Sequence, residues 1–198
     1  MVVLVHIPRQ ISIKFLTSKG NKYRVSDVVE RVQVIGRRKC QGLIELHNFT
    51  GTDWSGNFVV ISKKTWIWAY MDLPNDHPAI TCVTEIGDSY LPTDLVSSEL
   101  PIQLKPLEKF NCGVYGPKGN GPSTLHALRW GIFRSKNPEG EMIPPTGATL
   151  MPHIMRANHM VMREKSYITS CPSLPPVEQS GWHLERGVYV LPPPKSCA

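Results

Sequence analysis

The chain has 198 residues, of which 41% are hydrophobic and 19% are charged. That length suits one domain or one domain with an extension, and that composition excludes a highly charged, disordered chain. The net charge of +6 is compatible with a nucleic-acid partner, although it also suits a protein that needs charge only for solubility.

The basic charge is concentrated in the first third of the chain. Residues 1–70 contain 11 Lys and Arg against 4 Asp and Glu, residues 71–110 contain 2 against 7, and residues 111–198 contain 9 against 5. The first third is therefore the region most suited to a surface that faces phosphates. Ordinary solvent-exposed faces would account for the same charges equally well.

The five cysteines are far apart, their number is odd, and no C-x-x-C pair occurs. This pattern favours neither a closed disulfide framework nor a zinc site, and reduced thiols favour an intracellular protein, nuclear or cytoplasmic. The apolar start "MVVLVHIP" is too short for the core of a signal peptide. Because no run approaches the roughly 20 apolar residues that cross a bilayer, no membrane partner is expected.

The N-terminal residues predict strands. The apolar run Val2–Val5 indicates a buried strand, "ISIKFLT" alternates apolar and polar residues as a half-buried strand does, and Tyr23–Val25 is typical of a short returning strand. A buried strand at the very start has nothing before it, so we expect the fold to begin further upstream.

Helical signals follow. Ser26 can cap a helix through "DVVERVQVI" that ends at Gly36, a second helix is predicted from about Arg38 to Phe49, and a third begins near Ser62. Further helices are predicted at 79–87, in "LPTDLVSSELP", in "LKPLEKFNCGVYG", in "TLHALRWGIFRSK" and from Leu150 to Thr169, with Pro152 in the first turn of the last. "GWHLERGVYV" predicts a small hairpin. The sum is an α/β fold that is mostly α-helical, with two or three N-terminal strands followed by about seven helices.

Asp53 lies just after the end of an apolar run, in "LHNFTGTDWSGNF". Glycines on both sides free the backbone to turn, and an aspartate in such a place is usually a turn former or a helix cap. The alternative is a metal ligand, because Mg²⁺ and Mn²⁺ prefer carboxylate oxygens.

Three segments in order carry a resemblance: "LHNFTGTDWSG", "IPPTGATLMPHIMRANHMVMREKSY" and "SLPPVEQSGWHLERGVYV". Over most of its length the chain resembles transposon-derived animal proteins with a divergent PIN/flap-endonuclease-like region and an "LHxFTGCD" signature. The resemblance implies a partial PIN/flap-nuclease-like α/β region at 1–72, an α-helical extension at 73–170 and a Pro-rich loop and tail at 171–198.

The resemblance also implies that Asp53 is a metal-site position, for Mg or Mn. Phosphodiester hydrolysis by such enzymes uses two ions about 4 Å apart, held by several converging carboxylates. The family's other acids precede a strand like "VVLVH", and this sequence starts inside that strand. Within the chain the candidate helpers are Asp27 and Glu30, which suit a helix start, and Glu45, which we expect to be solvated. We therefore expect a remnant without catalytic activity.

Nucleic-acid binding, to DNA or RNA, is the function that this reading favours. The candidate phosphate contacts are Lys63, Lys64, Arg37, Arg38 and Lys39. The aromatic residues of "WIWAY" could stack on bases, but their spacing of two spreads them around a helix, and core packing is the better interpretation.

Two other functions stay open. The chain could be a helical protein-interaction module that docks through the Met-rich helix 150–169 and the Pro-rich tail. It could also be a metal-dependent nuclease whose missing carboxylates come from elsewhere. On the Met-rich helix, Arg156, Arg163 and Lys165 are expected to mark the wet face.

Overall fold

The computed structural model describes residues 14–19, 22–58, 61–91, 100–116, 121–136 and 143–191. These residues form eight α-helices and six short strands, which confirms the predicted α/β, mostly α-helical fold. The strands pair as three separate antiparallel hairpins. The predicted strand Val2–Val5, most of the predicted helix in "LPTDLVSSELP" and the end of the Pro-rich tail lie outside the described residues.

The elements have the following bounds. The strands are β1 (Lys14–Lys19), β2 (Lys22–Asp27), β3 (Gly51–Thr52), β4 (Gly56–Asn57), β5 (His183–Glu185) and β6 (Val188–Val190). The helices are α1 (Val28–Ile35), α2 (Arg37–Gln41), α3 (Leu43–Phe49), α4 (Lys63–Asp72), α5 (Pro78–Thr84), α6 (Lys105–Tyr115), α7 (Leu125–Lys136) and α8 (Gly147–Lys165).

Asp27 caps helix α1, so the prediction that Ser26 caps it is wrong. The Asp27 carboxylate accepts from the backbone N–H of Val29 at 2.9 Å and of Glu30 at 3.2 Å. Ser26 is instead paired within β2, opposite Phe15 of β1. The predicted end at Gly36 is confirmed, and none of the residues of α1 is buried.

The helix predicted from Arg38 to Phe49 is in fact two helices, α2 and α3, which meet at Gly42. A Cβ atom at Gly42 would lie 2.5 Å from the hydroxyl oxygen of the buried Tyr70. That hydroxyl donates to the carbonyl of Lys39 at 3.3 Å. The break at Gly42 therefore lets α4 approach the backbone of α2 closely.

Helix α8 is the longest described helix, with 19 residues, and packs along α3. Thr146 caps it, because its hydroxyl accepts from the backbone N–H of Thr149 at 3.2 Å. The prediction that Pro152 lies in the first turn is therefore wrong, since the helix begins at Gly147 and Pro152 lies in its second turn. A proline there leaves one carbonyl of the preceding turn without its helical donor.

The Met-rich helix predicted at 150–169 corresponds to α8, which ends at Lys165, and it contributes to the core. Met151 and Met160 are 7% and 8% exposed, and Ile154 and Val161 are fully buried. Most of one face of α8 is therefore covered by the rest of the chain.

Trp66 lies at the centre of the core. Its ring centroid is within 5.7 Å of three others, those of Phe49, Phe58 and Phe110. The same core contains Leu46 from the region predicted as 1–72 and Ile154 from the region predicted as 73–170. The division into these regions stays a prediction, and the described residues on both sides of residue 72 pack together.

Core packing of "WIWAY" is confirmed for two of its three aromatic residues. Trp66 and Tyr70 are fully buried, whereas Trp68 is 60% exposed. The described cysteines are free thiols. Among the described residues, no helix has the length and apolar character that a membrane crossing requires.

We predict that Trp66→Ala lowers the free energy of unfolding by about 3–5 kcal/mol, because it removes the ring around which the core packs. Trp68→Ala is the matched control, since its ring is largely in solvent, and it should change the free energy by less than about 0.5 kcal/mol. Urea denaturation followed by circular dichroism measures both. Equal losses in the two variants would contradict the packing described here.

Candidate nucleic-acid interface

The segment Gly51–Asn57 forms a tight hairpin between α3 and α4, with Asp53 and Trp54 at its tip. The buried hydroxyl of Ser55 donates to the carbonyl of Asn48 at 2.7 Å and accepts from the backbone N–H of Thr52 at 3.0 Å. Gly51 has φ +118°, a conformation that side chains other than glycine rarely adopt. The sequence therefore folds this turn around Ser55 and leaves the tip outside.

Both tip residues face solvent. Asp53 is exposed, and Trp54 is 63% exposed. Burial lowers the pKa of Lys63, and the negative charge of Asp53 partly offsets that effect. The hairpin tip and the start of α4 therefore interact electrostatically.

Lys63 also contacts α3. Its ammonium donates to Nδ1 of His47 at 3.0 Å, which places the ring proton of a neutral His47 on Nε2. Burial lowers the pKa of His47, and the charge of Lys63 lowers it further. Lys63 thus connects the first turn of α4 to the end of α3 by a hydrogen bond, and its charge interacts with that of Asp53 at the hairpin tip.

The outward face of α4 carries an exposed lysine and an exposed tryptophan. Lys64 and Trp68 are four residues apart, so they lie one turn above each other on the same face of the helix. Trp68 is 60% exposed and Lys64 is exposed, while Trp66 and Tyr70 point into the core. The helix begins next to Ser62 as predicted, and Ser62 caps it by accepting from the backbone N–H of Thr65 at 3.2 Å.

The other predicted phosphate contacts lie elsewhere. Arg37 and Arg38 are exposed on α2. Lys39 is 7% exposed, and its ammonium donates to the carbonyl of Met71 at 2.6 Å. Its charged group therefore ties α2 to the end of α4 instead of lying on the surface with the two arginines.

Glu45 does not lie in solvent, so that prediction is wrong. The residue is 3% exposed, and one carboxylate oxygen lies 2.9 Å from the ammonium of Lys165. The same ammonium lies 2.6 Å from the carboxylate of Asp88. Burial raises the pKa of Glu45, and the bond to Lys165 only partly offsets that effect. Lys165 is exposed, as predicted for the wet face, and its ammonium lies between two acids.

The described residues do not fit the metal site that the family resemblance implies. No group of three or more His, Cys, Asp and Glu side chains in these parts of the chain could hold a metal ion. Asp53 is at an exposed tip, Asp27 caps α1 and Glu45 is bound to Lys165. Two-ion hydrolysis needs several converging carboxylates, so we derive no step through a metal.

Arg156 was also expected on the wet face of α8, and it is 6% exposed. Its Nε donates to the carbonyl of Ser55 at 3.1 Å, and its Nη1 donates to the carbonyl of Gly181 at 2.7 Å. Burial lowers the pKa of this guanidinium to about 10. Arg163, seven residues later, is exposed as predicted.

His153 lies one turn before Arg156, in the same core-facing row. Its Nε2 lies 2.6 Å from the carbonyl of Phe49 and donates to it, and its ring packs at 4.6 Å from that of Phe58. Burial lowers the pKa of His153 to about 4, and the charge of Arg156 adds to that effect. The sequence pattern favours no zinc site at His153 and predicts no other role for it, although its spacing of three from Arg156 places both on one helix face.

Comparisons of the chain with models of known protein families, with curated proteins and with solved structures find no match. The resemblance to PIN/flap-endonuclease-like proteins therefore stays a prediction from three sequence segments.

We predict that the protein loses stability as the pH falls below the ordinary pKa of histidine, because His153 stays neutral in the fold while the unfolded chain takes up a proton. A pKa of about 4 against 6.5 makes this loss about 2 kcal/mol between pH 7 and pH 5. His153→Gln should flatten this part of the profile, measured by urea denaturation at each pH.

His126→Gln is the control, because His126 is exposed on α7. Its profile should follow that of the unmodified protein. If His153→Gln and the unmodified protein lost the same free energy on acidification, His153 would not be the titrating group.

Proposed function

We propose that the chain binds single-stranded nucleic acid through the surface formed by the hairpin tip and the outward face of α4. We call this surface, made of Trp54, Lys63, Lys64 and Trp68, the hairpin–α4 surface. The observation that carries the proposal is the exposed pair of Lys64 and Trp68 on one helix face.

The chemistry of these side chains suits a flexible polyanion. Lysines near phosphates release counterions, which makes binding favourable and dependent on salt. An exposed indole can stack on an unpaired base for about 1–3 kcal/mol, whichever base is presented. Trp54 and Trp68 are 63% and 60% exposed, so both rings are available for stacking. This combination favours binding with little sequence preference.

The proposal includes the predicted ancestry. On this view the chain is a remnant of a transposon-derived, PIN/flap-nuclease-like protein that binds nucleic acid and does not cleave it. What supports this is the placement of Asp53 on an exposed turn, apart from the other acids that the sequence offered as ligands. The Met-rich helix supports a protein-docking function less well, because α8 is largely buried.

We predict that Lys63→Glu combined with Lys64→Glu weakens binding to a fluorescent single-stranded oligonucleotide and flattens its dependence on salt, because fewer counterions are released. Trp68→Ala should weaken binding by about 1–3 kcal/mol while leaving the salt dependence unchanged, because it removes stacking alone. Fluorescence anisotropy at several salt concentrations measures both.

Matched controls exist on other helices. Lys109→Glu changes an exposed lysine of α6, and Trp130→Ala removes a 59% exposed ring of α7. Both should leave binding close to that of the unmodified chain. If Lys109→Glu cost half as much binding free energy as the double variant, in proportion to the charge removed, binding would reflect net charge alone and the assignment of the surface would fail.

We predict that Asp53→Asn tightens binding by up to about fivefold at low salt, because it removes a carboxylate beside Lys63. The titration should give the same result in EDTA and in Mg²⁺. Binding or cleavage that requires Mg²⁺ and that Asp53→Asn abolishes would instead establish Asp53 as a metal ligand and overturn the non-catalytic reading.

A further inference from the structure

A cavity of about 190 Å³ lies between the hairpin, α8 and the end of β6. Its lining combines the apolar side chains of Phe58, Leu150 and Leu191 with the polar side chains of Asn57, His153 and Arg156. Ligand pockets for drug-sized molecules are roughly 300–1,000 Å³, so this cavity suits a smaller ligand.

Arg156 is a buried charge whose described partners are all neutral. Two of its N–H groups donate to the carbonyls of Ser55 and Gly181. The guanidinium carries five N–H donors, so three remain, and Arg156 lines the cavity. No acidic side chain is among the described residues that line it.

The energetics of a buried guanidinium favour an anion. Removing a charge from water costs several kcal/mol unless a counter-charge or good hydrogen bonds compensate, and two carbonyls compensate only in part. A carboxylate offers the fork of the guanidinium two charge-assisted bonds. Burial holds His153 neutral, so its ring does not provide a second positive charge for the anion.

We propose that this cavity binds a small organic carboxylate, with its head group on Arg156 and its apolar body against Phe58 and Leu191. The apolar surface is what distinguishes this ligand from an inorganic anion. Leu191 is 52% exposed and Phe58 is 9% exposed, whereas Leu150 lines the cavity but is fully buried. None of the four residues of the hairpin–α4 surface lines the cavity, and the proposal does not depend on nucleic-acid binding.

Benzoate is the probe, titrated into the full chain by calorimetry and by thermal denaturation, with benzamide as the neutral match and inorganic phosphate as the anion without an apolar body. We expect saturable binding of benzoate that is at least about tenfold tighter than that of benzamide or phosphate. Only benzoate combines a negative charge for Arg156 with an apolar body. Equal binding of benzoate and benzamide, or no saturation by benzoate, would overturn the proposal. Tighter binding of phosphate would overturn the choice of a carboxylate.

Substitutions in and outside the cavity test whether benzoate binds there. Arg156→Gln should weaken benzoate binding about tenfold or more by removing the charge, and Arg163→Gln, an exposed arginine of the same helix, should not. Because Arg156 also holds two carbonyls, its variant could fail to fold. Leu191→Trp therefore fills the rim at a residue that is 52% exposed and should block benzoate without unfolding the chain. Benzoate binding that survives Leu191→Trp unchanged would place the ligand elsewhere.

Discussion

The donation of hydrogen bonds from α8 to backbone carbonyls of distant segments, at the end of α3 and in two turns, is the interaction on which the rest of this structure depends. His153 donates to the carbonyl of Phe49, and Arg156 donates to those of Ser55 and Gly181. Buried loop carbonyls must find donors if a loop is to be ordered. One row of side chains on α8 therefore holds the hairpin after α3 and the segment before β5 against a common core.

The same helix orders a third loop through Asn158. Its amide nitrogen donates to the carbonyl of Ser89 at 3.0 Å, and its amide oxygen accepts from the backbone N–H of Gly87 at 2.6 Å. Gly87 has φ +84°, and a Cβ atom there would collide with the side chain of Val161. The loops thus have little freedom to shift relative to α8, and a hairpin held in this way can present Trp54 in a defined position.

Local patterns predicted the local structure well and the long-range contacts poorly. The ends at Gly36 and Ser62 and the C-terminal hairpin follow from capping and turn residues, and all three are confirmed. The close approach of Tyr70 to Gly42 joins residues that are far apart in the sequence. The burial of Arg156 depends on carbonyls up to 101 residues away. Because every residue has a backbone carbonyl, the sequence does not indicate which ones accept these bonds. The lysines of α4 predicted a phosphate-binding surface there, whereas the exposure of Trp68 is evident only in the structure.

The absence of buried residues in α1 has a consequence for how the chain opens. Helix α1 follows the β1–β2 hairpin and is joined to α2 through Gly36, whose φ is +95°. A segment that buries little apolar surface can unfold at a lower free-energy cost than the core that surrounds Trp66. Backbone amides of α1 should therefore exchange with solvent deuterium long before those of α8. A protease that cuts only opened segments would cleave here first and leave the helices around the hairpin–α4 surface in one piece.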